Sequence, residues 1–388
     1  MNEGKMVFSQ ILQFANQNIL RNIVTRYNGD YKKQVFTSWK HFLCMSFGQL
    51  THRESMSDTM LMLKLNKKKL YHLGIGTPFD KSTVSRTNET RDWRIFEEFG
   101  MKLIAEAKLL YQNDNQLEFD LKGDVFALDS TTVDLCLNIY WWATFRSTKG
   151  GIKIHTVLNS KTAIPEFIFI SDADVHDVNI LDKTPISKGN YYVMDKAYTD
   201  FGRLYSIHCK RAYFVVRAKG NNQYKKIASR KVNRETGVKY DWDVVLTGFY
   251  SNKNYPLALR RIKYYDKEYK RTFVFYTNNK RVKPETIALL YKSRWHVEIF
   301  FKWIKQNLRV KSFWGQNENA VKIQIWIAIS TYVLVAIARK KLKIRHSLYE
   351  ILQYVSIAPF EKTPIRETFS DEVFNEMQNK NNNQLKIL

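Results

Sequence analysis

The sequence predicts an α/β fold, preceded by an all-helical domain and interrupted by a β-rich insertion. Three observations carry this reading. Apolar residues recur at helical spacing through the first hundred residues, the period shortens to two from Asp124, and a long helical pattern returns at Pro284. The 388 residues, 44% apolar and 14% aromatic, suffice for two or three domains with a sizeable core and exclude a globally disordered chain.

Residues 1–115 are the predicted helical domain. Ile11, Leu12, Ile19, Ile23 and Val24 mark one helix over Ser9 to Arg26, which "NGDYKK" ends. Thr37 or Ser38 caps "WKHFLCMSFGQL", and Thr51 with Glu54 matches a capping box before "SMSDTMLMLK". Gly74, Gly76 and Pro78 make a turn before "DKSTVSRTNETRDWRIFEEF". Its basic, hydroxyl-rich part from Ser82 to Arg94 suits phosphate contacts, with Arg86 and Arg91 as candidate cations. An ordinary solvated helix pair would read the same way.

Residues 120–210 carry the runs "VFALDSTTVDL", "GIKIHTVLN" and "IPEFIFISD", then a short helix start at "VHDVNIL" and the strand "NYYVM". Residues 211–279 show four more strand-like runs, "AYFVVRAKG", "KYDWDVVLTG", "YPLALRRIKYY" and "RTFVFYTN", without a long helix signal. In this insertion Lys225, Lys226, Arg260 and Arg261 are candidate phosphate contacts, and the tyrosines could stack on a displaced base; a solvated face is the alternative. Residues 283–345 begin with Pro284 at a favoured first-turn position, opening a helix to about Leu308, and continue with an apolar helix from Asn319 to Lys341. Residues 346–388 hold a last helix, Ser347 to Val355, and a polar tail with "NKNNNQ" that is expected to fray.

Net charge is +25, from 62 Lys and Arg against 37 Asp and Glu, a surplus that draws polyanions. Cys44, Cys136 and Cys209 are far apart with no paired spacing, which fits a reducing compartment and gives no disulfide scaffold or zinc knuckle. The N-terminus lacks the apolar core of a signal peptide. The apolar run from Ala320 to Ala338 raises the membrane question, but Lys322, Gln324, Ser330 and Thr331 interrupt it, so a buried helix is expected.

Two isolated aspartates stand out. Asp129 follows "VFAL" and Asp195 follows "YYVM", placing both where α/β folds bind ligands, although either could be a turn cap. Glu298 would complete an oxygen-rich site for Mg²⁺, with Mn²⁺ suited to the same ligands; two such ions roughly 3.5–4 Å apart serve phosphoryl transfer. Tyr291, Arg294, Glu298 and Lys305 fall at offsets 0, 3, 7 and 14, one stripe of a helix, with Trp295, Ile299, Phe300, Trp303 and Ile304 expected to bury elsewhere around it. A structural Arg294–Glu298 pair would explain part of that stripe.

The stretch "YKSRWHVEIFFKWIKQNLRVKSF" resembles the Tyr-x2-Arg-x3-Glu-x6-Lys signature of bacterial insertion-sequence transposases of the Asp-Asp-Glu type. "ALDSTTVDLC" and "VMDKAYTDF" look like the segments bearing their two aspartates. The resemblance implies a ribonuclease-H-like catalytic core with a β-rich insertion between the second Asp and the Glu. It makes Asp129, Asp195 and Glu298 the metal-binding triad, and Tyr291, Arg294 and Lys305 the phosphate contacts. Trp295 is expected to pack, while His176 and Asp177 either line the cleft or start a helix. The resemblance further implies cut-and-paste movement through a hairpin, double-stranded DNA with terminal inverted repeats, target DNA, and a homodimer in the synaptic complex, acting in the cytoplasm without a membrane. A nuclease of the same fold that does not join, or a non-catalytic DNA-binding regulator, are the alternative readings.

Overall fold

The computed structural model describes residues 4–117, 119, 121–135, 140, 142–146, 149–307 and 313–369. Cys136, the expected helix end at Leu308 and the "NKNNNQ" tail lie outside the described residues. The chain divides into two compact units: Met1–Gln112, Asn138–Trp142 and Trp303–Leu388 form one, Asn113–Leu137 and Ala143–Lys302 the other.

The first unit begins with helices. The run expected as one helix over Ser9 to Arg26 is two, α1 (Val7–Leu12) and α2 (Gln17–Arg26), because the Asn16 side chain accepts from the amides of Asn18 and Ile19 and starts a new helix there. Thr37 caps α3 (Ser38–Leu50) as expected. The Thr51–Glu54 capping box does not form: Thr51 ends α3 and its hydroxyl donates to the Phe47 carbonyl, while Ser55 caps α4 (Met56–Leu65) through the Asp58 amide at 3.0 Å. The passage around Arg91 is also two helices, α5 (Lys81–Thr90) and α6 (Arg94–Tyr111).

In the second unit, β1 (Val125–Leu135), β2 (Thr144–Arg146), β3 (Lys149–Asn159), β4 (Ile164–Asp172), β5 (Tyr191–Met194), β6 (Tyr213–Arg217), β7 (Tyr224–Ser229), β8 (Val238–Leu246), β9 (Leu259–Asp266) and β10 (Arg271–Thr277) form one mixed sheet. Its order is β2-β3-β1-β5-β6-β10-β9-β8-β7, with β4 on β3. β3 runs antiparallel to β1 and β4, whereas β1, β5 and β6 are mutually parallel. The period of two buries both faces. Phe126, Leu128, Tyr192 and Met194 pack with Leu204 and Ile207 of α7 (Phe201–Cys209) on one side. Val125, Val193 and Val215 pack on the other with Ile287 and Leu290 of α9 (Pro284–Lys292). Between these two helices α8 (Phe249–Asn254) is a short turn of helix that the strand pattern of its neighbours concealed.

The expected insertion is not a separate body. Its first run, β6, is the third parallel strand of the core, and β10 pairs antiparallel with it, so β7 to β10 simply extend the same sheet. The expected long helix from Pro284 is likewise two, α9 and α10 (Trp295–Asn307), separated at Ser293 and Arg294.

The chain then returns to the first unit with α11 (Glu318–Lys341), α12 (Leu348–Ile357) and α13 (Ile365–Thr368). A capping box between Ser347 and Glu350 starts α12. Helix α11 is long and apolar enough to cross a membrane, yet 94% of its apolar window is buried, against α1, α3, α5, α6 and α12. It is the core helix of that unit. The division between units therefore falls inside 283–345, after Lys302, and groups α11 with the N-terminal helices.

Candidate active site

The strand register brings the aspartates together. The last parallel pair of β1 and β5 is Leu128 with Met194, so Asp129 and Asp195 are the next residues on adjacent strands. Asp195 does follow the end of its strand. Asp129 does not: β1 continues to Leu135 as an antiparallel partner of β3, and Asp129 sits mid-strand where the parallel pairing stops. Arg217 follows Val216, the partner of Met194, and its Nη1 lies 4.0 Å from Asp195.

Glu298 comes from the first turn of α10. The Arg294 guanidinium donates one Nη1 bond to Asp129 Oδ2 at 2.6 Å and an Nη2 bond to Glu298 Oε1, joining the two carboxylates through one side chain. Tyr291 donates its hydroxyl to Asp195 Oδ1 at 3.1 Å. Burial lifts the Asp129 carboxyl to about 6 against the pull of Arg294, and the nearby Glu298 and Asp195 carboxylates add to the rise. Burial, then the Asp195 charge, pushes the Tyr291 phenol up to about 12, so it remains a donor.

The expected stripe is thus real in effect but not one helix: Tyr291 ends α9, Arg294 lies in the break and Glu298 begins α10. Lys305 is in the last turn of α10. Val297, Phe300 and Phe301 are buried, while Trp295 and Ile299 are 46% and 57% exposed, which corrects the packing role expected for both. The Trp295 ring lies parallel to Tyr269 with centroids 6.2 Å apart. Both border a cavity of about 250 Å³ that Arg217, Arg271, Tyr291 and Arg294 also line.

Asp177 accepts from Ser130 Oγ at 2.7 Å and lies 3.2 Å from Lys153 Nζ, so it braces the residue next to Asp129. His176 is exposed at the start of a 3-10 turn and makes no capping bond. The Tyr198 phenol is buried, and the charges of Asp129 and Asp177 act on it. Lys153, Tyr198 and Arg217 escaped the sequence reading, because only the strand register places them beside the acids.

Two expected DNA contacts are corrected. Arg91 is 1% exposed, and its guanidinium donates to Phe36 O at 2.9 Å and Asp30 Oδ1 at 3.2 Å. Arg260 is 2% exposed and holds Asp241 with two hydrogen bonds at 2.9 and 2.7 Å. Both guanidiniums are engaged inside the protein, beyond reach of a phosphate. Arg86, Lys225 and Lys226 are exposed. Half-buried Arg261 lies over the Tyr224 ring at 4.3 Å, and Lys226 over Trp242 at 4.8 Å. Tyr240 and Trp242 stack on each other at 3.8 Å.

A family model described as a transposase DDE domain matches residues 120–334, the span that holds all three acids. The chain belongs to the DDE transposase family. A second model, a domain of unknown function, matches residues 3–76. This transposase is 31% identical over 66% of its length to 72% of a Sinorhizobium fredii protein named as transposase y4zB. It is 25% identical over 88% of its length to 94% of a Synechocystis protein named as a transposase for insertion sequence element IS4SA. A Geobacillus stearothermophilus protein named for element IS5377 is 29% identical, over 66% of each chain. Membership makes the mixed sheet the ribonuclease-H-like α/β core of an enzyme that cleaves and joins DNA at insertion-sequence ends, with a divalent metal. The donor chemistry fits such an ion, since carboxylates are hard oxygen ligands. The spacing does not: among the described residues no three His, Cys, Asp or Glu stand close enough together to hold a metal. Arg294 stands between Asp129 and Glu298 instead.

Proposed function

We propose that the transposase cuts and rejoins DNA at Asp129, Asp195 and Glu298. The observation that carries this reading is that Arg294 and Tyr291, three residues apart, hold all three acids from distant parts of the chain. Two Mg²⁺ ions, with Mn²⁺ as a substitute, are the cofactors these acids would hold, and when bound they stabilise charge on the attacking and leaving oxygens. Tyr291 fixes the orientation of Asp195, and Asp177 with Lys153 braces the backbone at Ser130. Arg294 and Lys305 are the cations for DNA phosphates. Trp295 and Tyr269 offer parallel exposed rings, which suits stacking of a displaced base.

The substrate is double-stranded DNA with terminal inverted repeats, and movement is cut-and-paste through a hairpin, with a homodimer in the synaptic complex and target DNA as acceptor. The helical segment 1–115 contacts the ends, with exposed Arg86 on α5 a candidate contact. A cytoplasmic location fits these partners. The test uses duplexes from both flanks of the reading frame plus Mg²⁺, resolving nicked, hairpin and joined products. Asp129→Asn, Asp195→Asn and Glu298→Gln should each abolish cleavage while duplex affinity without metal is kept. Full cleavage by any of the three would remove that residue from the site.

A further inference from the structure

The position of Arg294 conflicts with a loaded metal site, and the conflict is informative. Its guanidinium donates to Asp129 and to Glu298, two of the three acids assigned to the metal. Each bond uses a carboxylate oxygen that would otherwise face a cation. The third acid is also engaged, since Asp195 accepts from Tyr291 and lies 4.0 Å from Arg217. The Arg294 side chain is only 14% exposed, and its Nε is buried with no partner among the described residues. A guanidinium serving two carboxylates with an idle third donor is not fully satisfied. A phosphate can match two of its N–H groups at once, including that idle one, and so compete for it.

We propose that Arg294 is the resident counter-cation of Asp129 and Glu298 in the DNA-free chain, and that a DNA phosphate drawing it away opens the acids to the divalent ion. This rests on the triad assignment above. Metal and DNA then load together: the ion binds poorly to the DNA-free enzyme, and cutting competence waits for a correctly seated strand. The carboxylates keep a compensating charge in both states, so neither is ever left buried and unpaired. By linkage, whatever tightens the ion on binding DNA must tighten DNA equally on binding the ion.

The test needs no turnover. Mn²⁺ binding to the full-length, DNA-free protein is measured from the loss of free-ion electron paramagnetic resonance signal. Arg294→Gln should bind Mn²⁺ roughly ten- to a hundredfold more tightly than the wild type, the range expected for releasing a charged hydrogen bond at each acid. Arg294→Lys, which keeps the charge but cannot span both acids, should fall between them. Adding Asp129→Asn to Arg294→Gln should cancel the gain. Equal Mn²⁺ affinity in wild type and Arg294→Gln overturns the latch, as does the absence of binding by a folded Arg294→Gln. A gain that survives Asp129→Asn overturns the triad assignment as well, because the ion would then sit elsewhere. Thermal unfolding of each variant separates these outcomes from misfolding.

Discussion

Replacing Arg260 with Met tests whether this arginine holds the fold or the DNA. In the structure its Nε and Nη2 grip both oxygens of Asp241, and its Nη1 donates to the carbonyls of Asn279 at 3.1 Å and Val282 at 2.6 Å. The two side chains are 2% and 1% exposed. Removing the guanidinium leaves Asp241 charged in a dry site and two carbonyls short of a donor. Breaking a buried pair in this way costs about 3–5 kcal/mol. Arg230 stays at 3.3 Å from Asp241, so the lower end of that range is expected. Replacing both partners, Arg260→Met with Asp241→Leu, removes the stranded charge and should recover stability to within about 1 kcal/mol of the wild type. Urea unfolding gives these values, and fluorescence anisotropy against a non-specific duplex gives the salt dependence of binding. The slope of log affinity against log salt should be unchanged in Arg260→Met, since no phosphate contact is lost. A variant that unfolds like the wild type while its slope falls by about one would refute the reasoning and restore Arg260 as a DNA contact.

Other consequences are as direct. In the metal-free chain the folded Asp129 carboxyl, at about 6, binds its proton more tightly than the unfolded one at about 3.9. Its contribution to stability is therefore complete below about pH 4 and lost as pH rises through about 6, and Asp129→Asn should flatten the stability curve across that window; an unchanged curve would contradict it. Lys226 and Lys263 lie over Trp242 and Tyr240 with no carboxylate partner among the described residues, so the double alanine variant should lower the salt slope by about one per lysine; an unchanged slope would make that face merely solvated. At Gly48 an added Cβ would crowd the Trp314 ring and approach Thr59 Oγ1 to 2.7 Å, so Gly48→Ala should lose about 1–3 kcal/mol in thermal unfolding despite alanine's helix preference, and a stabilised variant would show the space is larger than drawn.

The amino-acid order alone determined the kinds of element and the identity of the acids. Alternation in "VFALDSTTVDL" and "IPEFIFISD" fixed β1 and β4 to the residue, because period two is a local consequence of the pleat. The motif spacing singled out Asp129, Asp195 and Glu298 without knowledge of how they meet. What only the tertiary structure decided was neighbourhood. The break at Ser293 and Arg294 swings a guanidinium between two acids, and nothing in helical periodicity announces it. The parallel register of β5 and β6 puts Arg217 beside Asp195, yet pairing between separated strands leaves no mark in either strand's own sequence. Arg91 and Arg260 look as basic as Arg86 and Lys226, and they differ because folding sets Asp30 and Asp241 opposite them. Charge is written residue by residue, but whether a charge is spent inside the protein or offered to DNA depends on which partner the folded chain places within about 3 Å.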